Sequence, residues 1–126
     1  MKRVYLWAAA APIILFEPQH LYAQDSGRRS VHVVAEQEVI NRDALQEFGA
    51  CTGPIMALFK AKVLVCGGDT NIVEGDPPKR FVILQFGNVA VAQSWLNLGA
   101  HKACEPTKKD AIRERVYLVE GLVQKL

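Results

Sequence analysis

The most regular apolar pattern in the chain runs from Arg80 to Trp95, RFVILQFGNVAVAQSW, and it predicts a strand, a short break and a helix. Phe81 to Phe86 is nearly unbroken in apolar residues and rich in β-branched and aromatic types, which suit a pleated surface. Side chains alternate along a strand, so Phe81 and Ile83 point one way while Val82, Leu84 and Phe86 point the other. Both sets need cover, which marks a central strand buried on two sides. Gly87 ends the run, Asn88 is suited to cap a helix, and Val91, Ala92, Trp95 and Leu98 then recur at helical spacing. That helix is expected to return onto one face of the strand.

The same reading extends along the chain. From Val31 to Val39 the alternation puts Val31, Val33 and Ala35 on one face, with His32, Glu36 and Glu38 on a wetter face around Val34. Asn41 can cap a helix whose first turn carries Asp43, a charge favourable to the helix dipole. Ala44, Phe48, Cys51, Ile55 and Leu58 form its apolar stripe. Gly53-Pro54 predicts a kink or a break, with Pro54 opening a second helical segment through Lys60. Lys62 to Cys66, KVLVC, reads as a strand reaching the turn Gly67-Gly68-Asp69, and Ile72 to Glu74 as a further extended, bulged piece before the loop GDPPK. After Gly99, His101 to about Arg113 is a looser helical stretch containing Pro106, and Arg115 to Gly121 is the last strand.

The predicted order is strand, helix, strand, strand, helix, strand. This makes the chain α+β in the split arrangement called ferredoxin-like, βαββαβ, an antiparallel four-stranded sheet with its helices on one face. One layer of helices covers one side only, so the apolar central strand calls for a second subunit on the other.

Ahead of these elements the chain has the three parts of a secretory signal. Lys2 and Arg3 are its basic start, Val4 to Phe16 its apolar middle, and Glu17 to Ala23 a polar tail ending in a small residue. The apolar middle is shorter than the ~20 residues needed to span a bilayer. Cleavage after Ala23 is expected, giving a signal peptide 1–23, a flexible leader 24–30 without structure, and one domain over 31–122. An uncleaved anchor or an ordinary buried helix is the competing reading, because Leu21 is an imperfect residue at the third position before the cut.

Charge and cysteines narrow the function classes. The formal net charge is +2, and removing Lys2, Arg3 and Glu17 takes away one positive unit. Only pairs of basic residues occur, Arg28-Arg29, Lys79-Arg80 and Lys108-Lys109, so no nucleic acid is expected as a partner, and no membrane after signal cleavage. Three cysteines remain in a chain expected to be exported, where a disulfide is permitted and one thiol is left over. Their spacing fits no zinc pattern, so no metal is expected. Cys51 and Cys66 read as buried free thiols and Cys104 as exposed, which leaves the pairing open.

The segments IVEGDPPKRFVILQF (Ile72 to Phe86), VAQSW (Val91 to Trp95) and RVYLVEG (Arg115 to Gly121) resemble the domain-of-unknown-function 1330 family. The resemblance covers about Val31 to Leu122. It implies a ferredoxin-like subunit that dimerises through its sheet, as in the dimeric α/β-barrel superfamily, and it implies no established reaction. The chain departs from the family pattern after the strand's phenylalanine, where Gly87 and Asn88 replace a proline and a serine. Leu96 stands for the usual aromatic after the tryptophan, His101 for a tyrosine, and EPTKK lacks an arginine common there.

The candidate site residues follow from their chemistry. Core packing is the default for Trp95 on the helix face toward the sheet, with ligand contact the alternative. Arg80 is a candidate for a substrate carboxylate, against an ion pair with Glu120 across the sheet. His32 or His101 could serve as a general base, since an unperturbed histidine pKa of about 6.5 suits proton abstraction, with Tyr117 as a hydrogen-bond donor. The chain has no glycine-rich phosphate loop, nucleophile elbow or HExxH. The reading is an exported homodimer without cofactor that binds a small organic ligand between helices and sheet. The alternatives are a cofactor-independent enzyme of isomerase or monooxygenase type, with His32 or His101 meeting Arg80 or Tyr117 in one cleft, and a purely structural role.

Overall fold

The computed structural model describes residues 28–123, so the expected signal, its cleavage site and the leader up to position 27 lie outside the described residues. The elements are β1 (Arg29–Val39), α1 (Arg42–Leu58), β2 (Lys62–Cys66), β3 (Arg80–Phe86), α2 (Val89–Asn97), α3 (Gly99–Lys102), α4 (Glu105–Ala111) and β4 (Ile112–Val123). The strands form one antiparallel sheet in the order β2-β3-β1-β4, the α+β ferredoxin-like topology.

Register decides which side chains share a layer. Val31 lies opposite Phe86, Val33 opposite Leu84 and Ala35 opposite Val82, while on the other side Val33 meets Leu118 and Ala35 meets Val116. These rows face the helices, and Val31, Val33, Leu84, Phe86, Ala92 and Trp95 form the core there. His32, Val34, Phe81, Ile83, Tyr117 and Val119 alternate onto the opposite face. Both expected caps form: Asn41 Oδ1 accepts from the N–H groups of Asp43 at 2.9 Å and Ala44 at 3.1 Å, and Asn88 Oδ1 accepts from Val91 N–H at 3.0 Å.

Several local expectations are corrected. Arg29 and Ser30, expected in the structureless leader, belong to β1, because β4 reaches Val123 and pairs with Arg29 across a register shift between Arg29 and Val31. Arg29 donates to the Gly121 carbonyl at 3.2 Å, and a Cβ on Gly121 would stand 2.8 Å from Ser30 Oγ and 3.2 Å from the Ser30 carbonyl oxygen, so a larger residue there would have to push Ser30 aside. Helix α1 runs without a break through Gly53-Pro54. Pro54 is exposed while Thr52 and Ile55 beside it are buried, and that packing keeps the turn helical despite one lost backbone bond. Ile72 to Glu74 forms no strand, since β3 already has a partner on each edge. The final helical stretch is two short helices, with Pro106 tolerated in the first turn of α4. Strand β4 begins at Ile112, ahead of Arg115, where cross-strand pairs extend the ladder: Arg115 to Glu36 at 2.9 Å and Gln37 to Glu114 at 2.9 Å.

The cysteine assignments are also reversed. Cys51 and Cys104 form a disulfide across a Cα–Cα distance of 6.0 Å, Cys104 is wholly buried, and Cys66 is the exposed free thiol. Cys51 lies on the flank of α1 that packs on α4 rather than on the sheet, a distinction that stripe periodicity alone does not make. Among the described residues no helix is long and apolar enough to cross a membrane.

Candidate functional site

The helix layer does not close fully onto the sheet. A cavity of about 380 Å³ lies between them. Its floor includes Ala35 and Val82, paired in one row, and its roof includes Gly49 and Thr52 of α1. These small side chains leave space that Phe48, Met56, Leu96 and Trp95 surround.

A polar row bounds the apolar floor. Arg80 on β3, Gln37 on β1 and Glu114 on β4 lie side by side in register. Arg80 Nη1 donates to Gln37 Oε1, and Arg80 Nη2 approaches Cys66 Sγ at 3.6 Å. Gln37 is buried, and its Nε2 donates to Glu114 Oε2 at 2.9 Å. Glu114 is held in turn by Lys108 Nζ at 3.1 Å, which also reaches Glu105 at 3.2 Å. Burial works against the charge on Lys108, but its bonds to Glu114 and Glu105 outweigh it and raise its pKa. Gly67 helps to place Arg80: a Cβ there would stand 3.1 Å from Arg80 Nε, on a backbone with φ of +71° that already favours glycine.

The aromatic wall comes from α2 and α3. Trp95 packs on Phe86 with ring centroids 5.0 Å apart, and His101 packs on Trp95 at 4.3 Å. Trp95 Nε1 and His101 Nδ1 are buried without a hydrogen-bond partner among the described residues. Burial lowers the His101 pKa from its ordinary 6.5, and the nearby Lys108 adds to that, while Glu105 and Glu114 oppose it. The unfolded chain therefore takes up this proton at a higher pH than the folded chain does, so folding loses stability as pH falls through 6.5 until the folded imidazole also protonates. Urea unfolding midpoints are expected to drop between about pH 7 and 5, and His101→Gln to flatten that drop. An unchanged slope in the variant would assign it to other groups.

The structure brings Arg80, Trp95 and His101 to one cavity. His32 and Tyr117 lie on the sheet face away from the helices, opposite Val119 and Val34 respectively. Arg80 and Glu120 belong to different rows: Arg80 pairs with Gln37 and Glu120 with Val31, six residues along β1. Sequence reasoning passed over Gln37, Glu105, Lys108 and Glu114. The signal for Gln37 was present, a polar residue continuing the inward alternation Val31, Val33, Ala35. Three departures from the family pattern line the cavity, Leu96, His101 and the EPTKK segment through Glu105 and Lys108. Among the described residues no group of three or more His, Cys, Asp or Glu is placed to hold a metal ion.

A family model described as a domain of unknown function, DUF1330, matches residues 30–122. No curated protein matches the chain. Among solved structures, a protein of unknown function from Rhodopseudomonas palustris is 14% identical with a TM-score of 0.64, over 84% of this chain and 95% of its own. Its methylated form gives 14% and 0.63, over 82% and 91%. A conserved protein of unknown function from Bacteroides thetaiotaomicron, described as a possible oxidoreductase, is 7% identical with a TM-score of 0.50, over 75% and 99%. At these identities the likeness is one of fold.

Proposed function

The chain belongs to the DUF1330 family, a domain of unknown function, and from that premise we propose that the mature protein is an exported homodimer binding a small organic molecule between its helices and its sheet. The observation that carries this reading is the cavity of about 380 Å³, within the size range of ligand pockets, with apolar walls and a few converging polar groups. Export is supported by the signal-like start of the chain and by the Cys51–Cys104 disulfide, a bond that persists in oxidising compartments. Pairing through the sheet is supported by the uncovered face, where Tyr117 is 40% and Val119 49% exposed beside Val34, Phe81 and Ile83. The fold alone selects no chemistry, so the description of the Bacteroides protein is not carried over.

One observation favours a cofactor-independent enzyme of isomerase or monooxygenase type as the second reading. His101 is buried on the wall of the cavity that Arg80 also lines, and its lowered pKa keeps it a neutral proton acceptor at pH 7.

Native mass spectrometry of the mature protein from an exporting host tests the proposal. A dimer carrying an added small mass is expected, and Ala35→Leu, which fills the floor of the cavity, should remove the added mass while keeping the dimer. Protein that stays bare after incubation with a broad panel of small organic molecules would refute ligand binding, and a monomer would refute the sheet pairing. Conversion of the bound molecule by wild type but not by His101→Gln would favour the enzyme.

A further inference from the structure

Arg80 stands apart from every other cation on the cavity wall. A guanidinium has five N–H donors and a permanent positive charge. Arg80 directs two nitrogens at acceptors, Gln37 Oε1 and Cys66 Sγ, and neither is a carboxylate. The ion pairs among the described residues join Lys79 to Glu38, Lys108 to Glu105 and Glu114, and Arg115 to Glu36, leaving Arg80 without a carboxylate at ion-pair distance. Gln37 cannot be exchanged for one, because its amide is held between Arg80 and Glu114 and so presents oxygen to the one and nitrogen to the other. Lys108 is not an equivalent site: two carboxylates already share its charge. His101 adds no positive charge near neutral pH, since burial lowers its pKa.

Resting on the reading of this cavity as a binding site, we propose that its ligand is a small monocarboxylic acid with an apolar body. The carboxylate sits on the Arg80 guanidinium, whose planar fork matches two oxygens at once. The body lies over Ala35 and Val82 toward Trp95. Across the polar row, Glu105 and Glu114 face a single Lys108, so a second carboxylate at that end would meet surplus negative charge. The site therefore selects against dicarboxylates. A neutral analogue of the same shape fills the apolar space and leaves the guanidinium without its counter-charge.

Isothermal titration of the mature protein with benzoate, phenylacetate and hexanoate, each beside its neutral amide, tests this, with terephthalate, whose second carboxylate projects from the far end of the ring, as the dicarboxylate. The acids should bind on the order of tenfold or more tightly than their amides, since charge-assisted bonds are the stronger ones, and benzoate more tightly than terephthalate, whose second charge meets Glu105 and Glu114. Arg80→Gln should bring acid and amide to nearly equal affinity, and Arg80→Lys should keep part of the preference, with thermal unfolding recorded for each variant. Equal binding of acids and amides by wild type would overturn the acid specificity and leave the cavity a binding site. So would a preference that survives in folded Arg80→Gln. Failure of every acid and every amide to bind wild type would overturn the acid proposal, and if the broad panel also fails, the binding reading beneath it.

Discussion

Replacing Phe86 by alanine is expected to destabilise the protein by about 3 to 5 kcal/mol, the usual cost of removing a buried aromatic ring. Phe86 is 1% exposed, pairs with the wholly buried Val31 and packs on Trp95 at 5.0 Å. Val31 of β1 lies beside it and Trp95 of α2 packs on it, so removing the ring takes away both contacts at once. For a domain whose total stability is about 5 to 15 kcal/mol, the loss leaves a variant near its unfolding threshold. Urea titration followed by tryptophan fluorescence measures it directly. A loss below about 1.5 kcal/mol would mean that the site relaxes or that Phe86 does not anchor the core. Because Trp95 in turn supports His101, the same variant should also weaken ligand binding.

Removing the disulfide is expected to have a comparable effect. Cys51 and Cys104 are 53 residues apart, and in the chain-entropy account a loop of that length limits the unfolded ensemble by about 4 kcal/mol. The bond also ties α1 to the start of α4, and both helices contribute walls of the cavity. Paired Cys51→Ala and Cys104→Ala substitutions, made with Cys66→Ser so that no thiol remains to exchange, should lower the urea midpoint and loosen binding. The single Cys66→Ser protein, which keeps the bond, is the reference. If reductant leaves its unfolding midpoint unmoved, the cross-link contributes little and the helix layer is held by packing alone.

Much of the fold was legible because its signals are local. The apolar runs of β1 and β3, the caps at Asn41 and Asn88 and the stripe of α1 each depend on residues a few positions apart. Where reading failed, a distant partner decided the outcome. Arg29 joins β1 because β4 extends to Val123 and pairs with it, α1 continues through Pro54 because Thr52 and Ile55 are buried, and Ile72 to Glu74 finds no free edge on β3. The site was legible in part: Arg80, Trp95 and His101 stood out by residue type, but so did His32 and Tyr117, which the sheet turns to its other face.

What this sequence determines by itself is the order of elements, the face each strand residue takes and the signal-like start of the chain, since periodicity and caps act between near neighbours. The cavity, the Arg80–Gln37–Glu114 row and the Cys51–Cys104 bond were decided only in three dimensions. Each depends on register between strands or on packing between helices remote in sequence. The energy that sets them is the burial of side chains against partners whose positions no local pattern specifies.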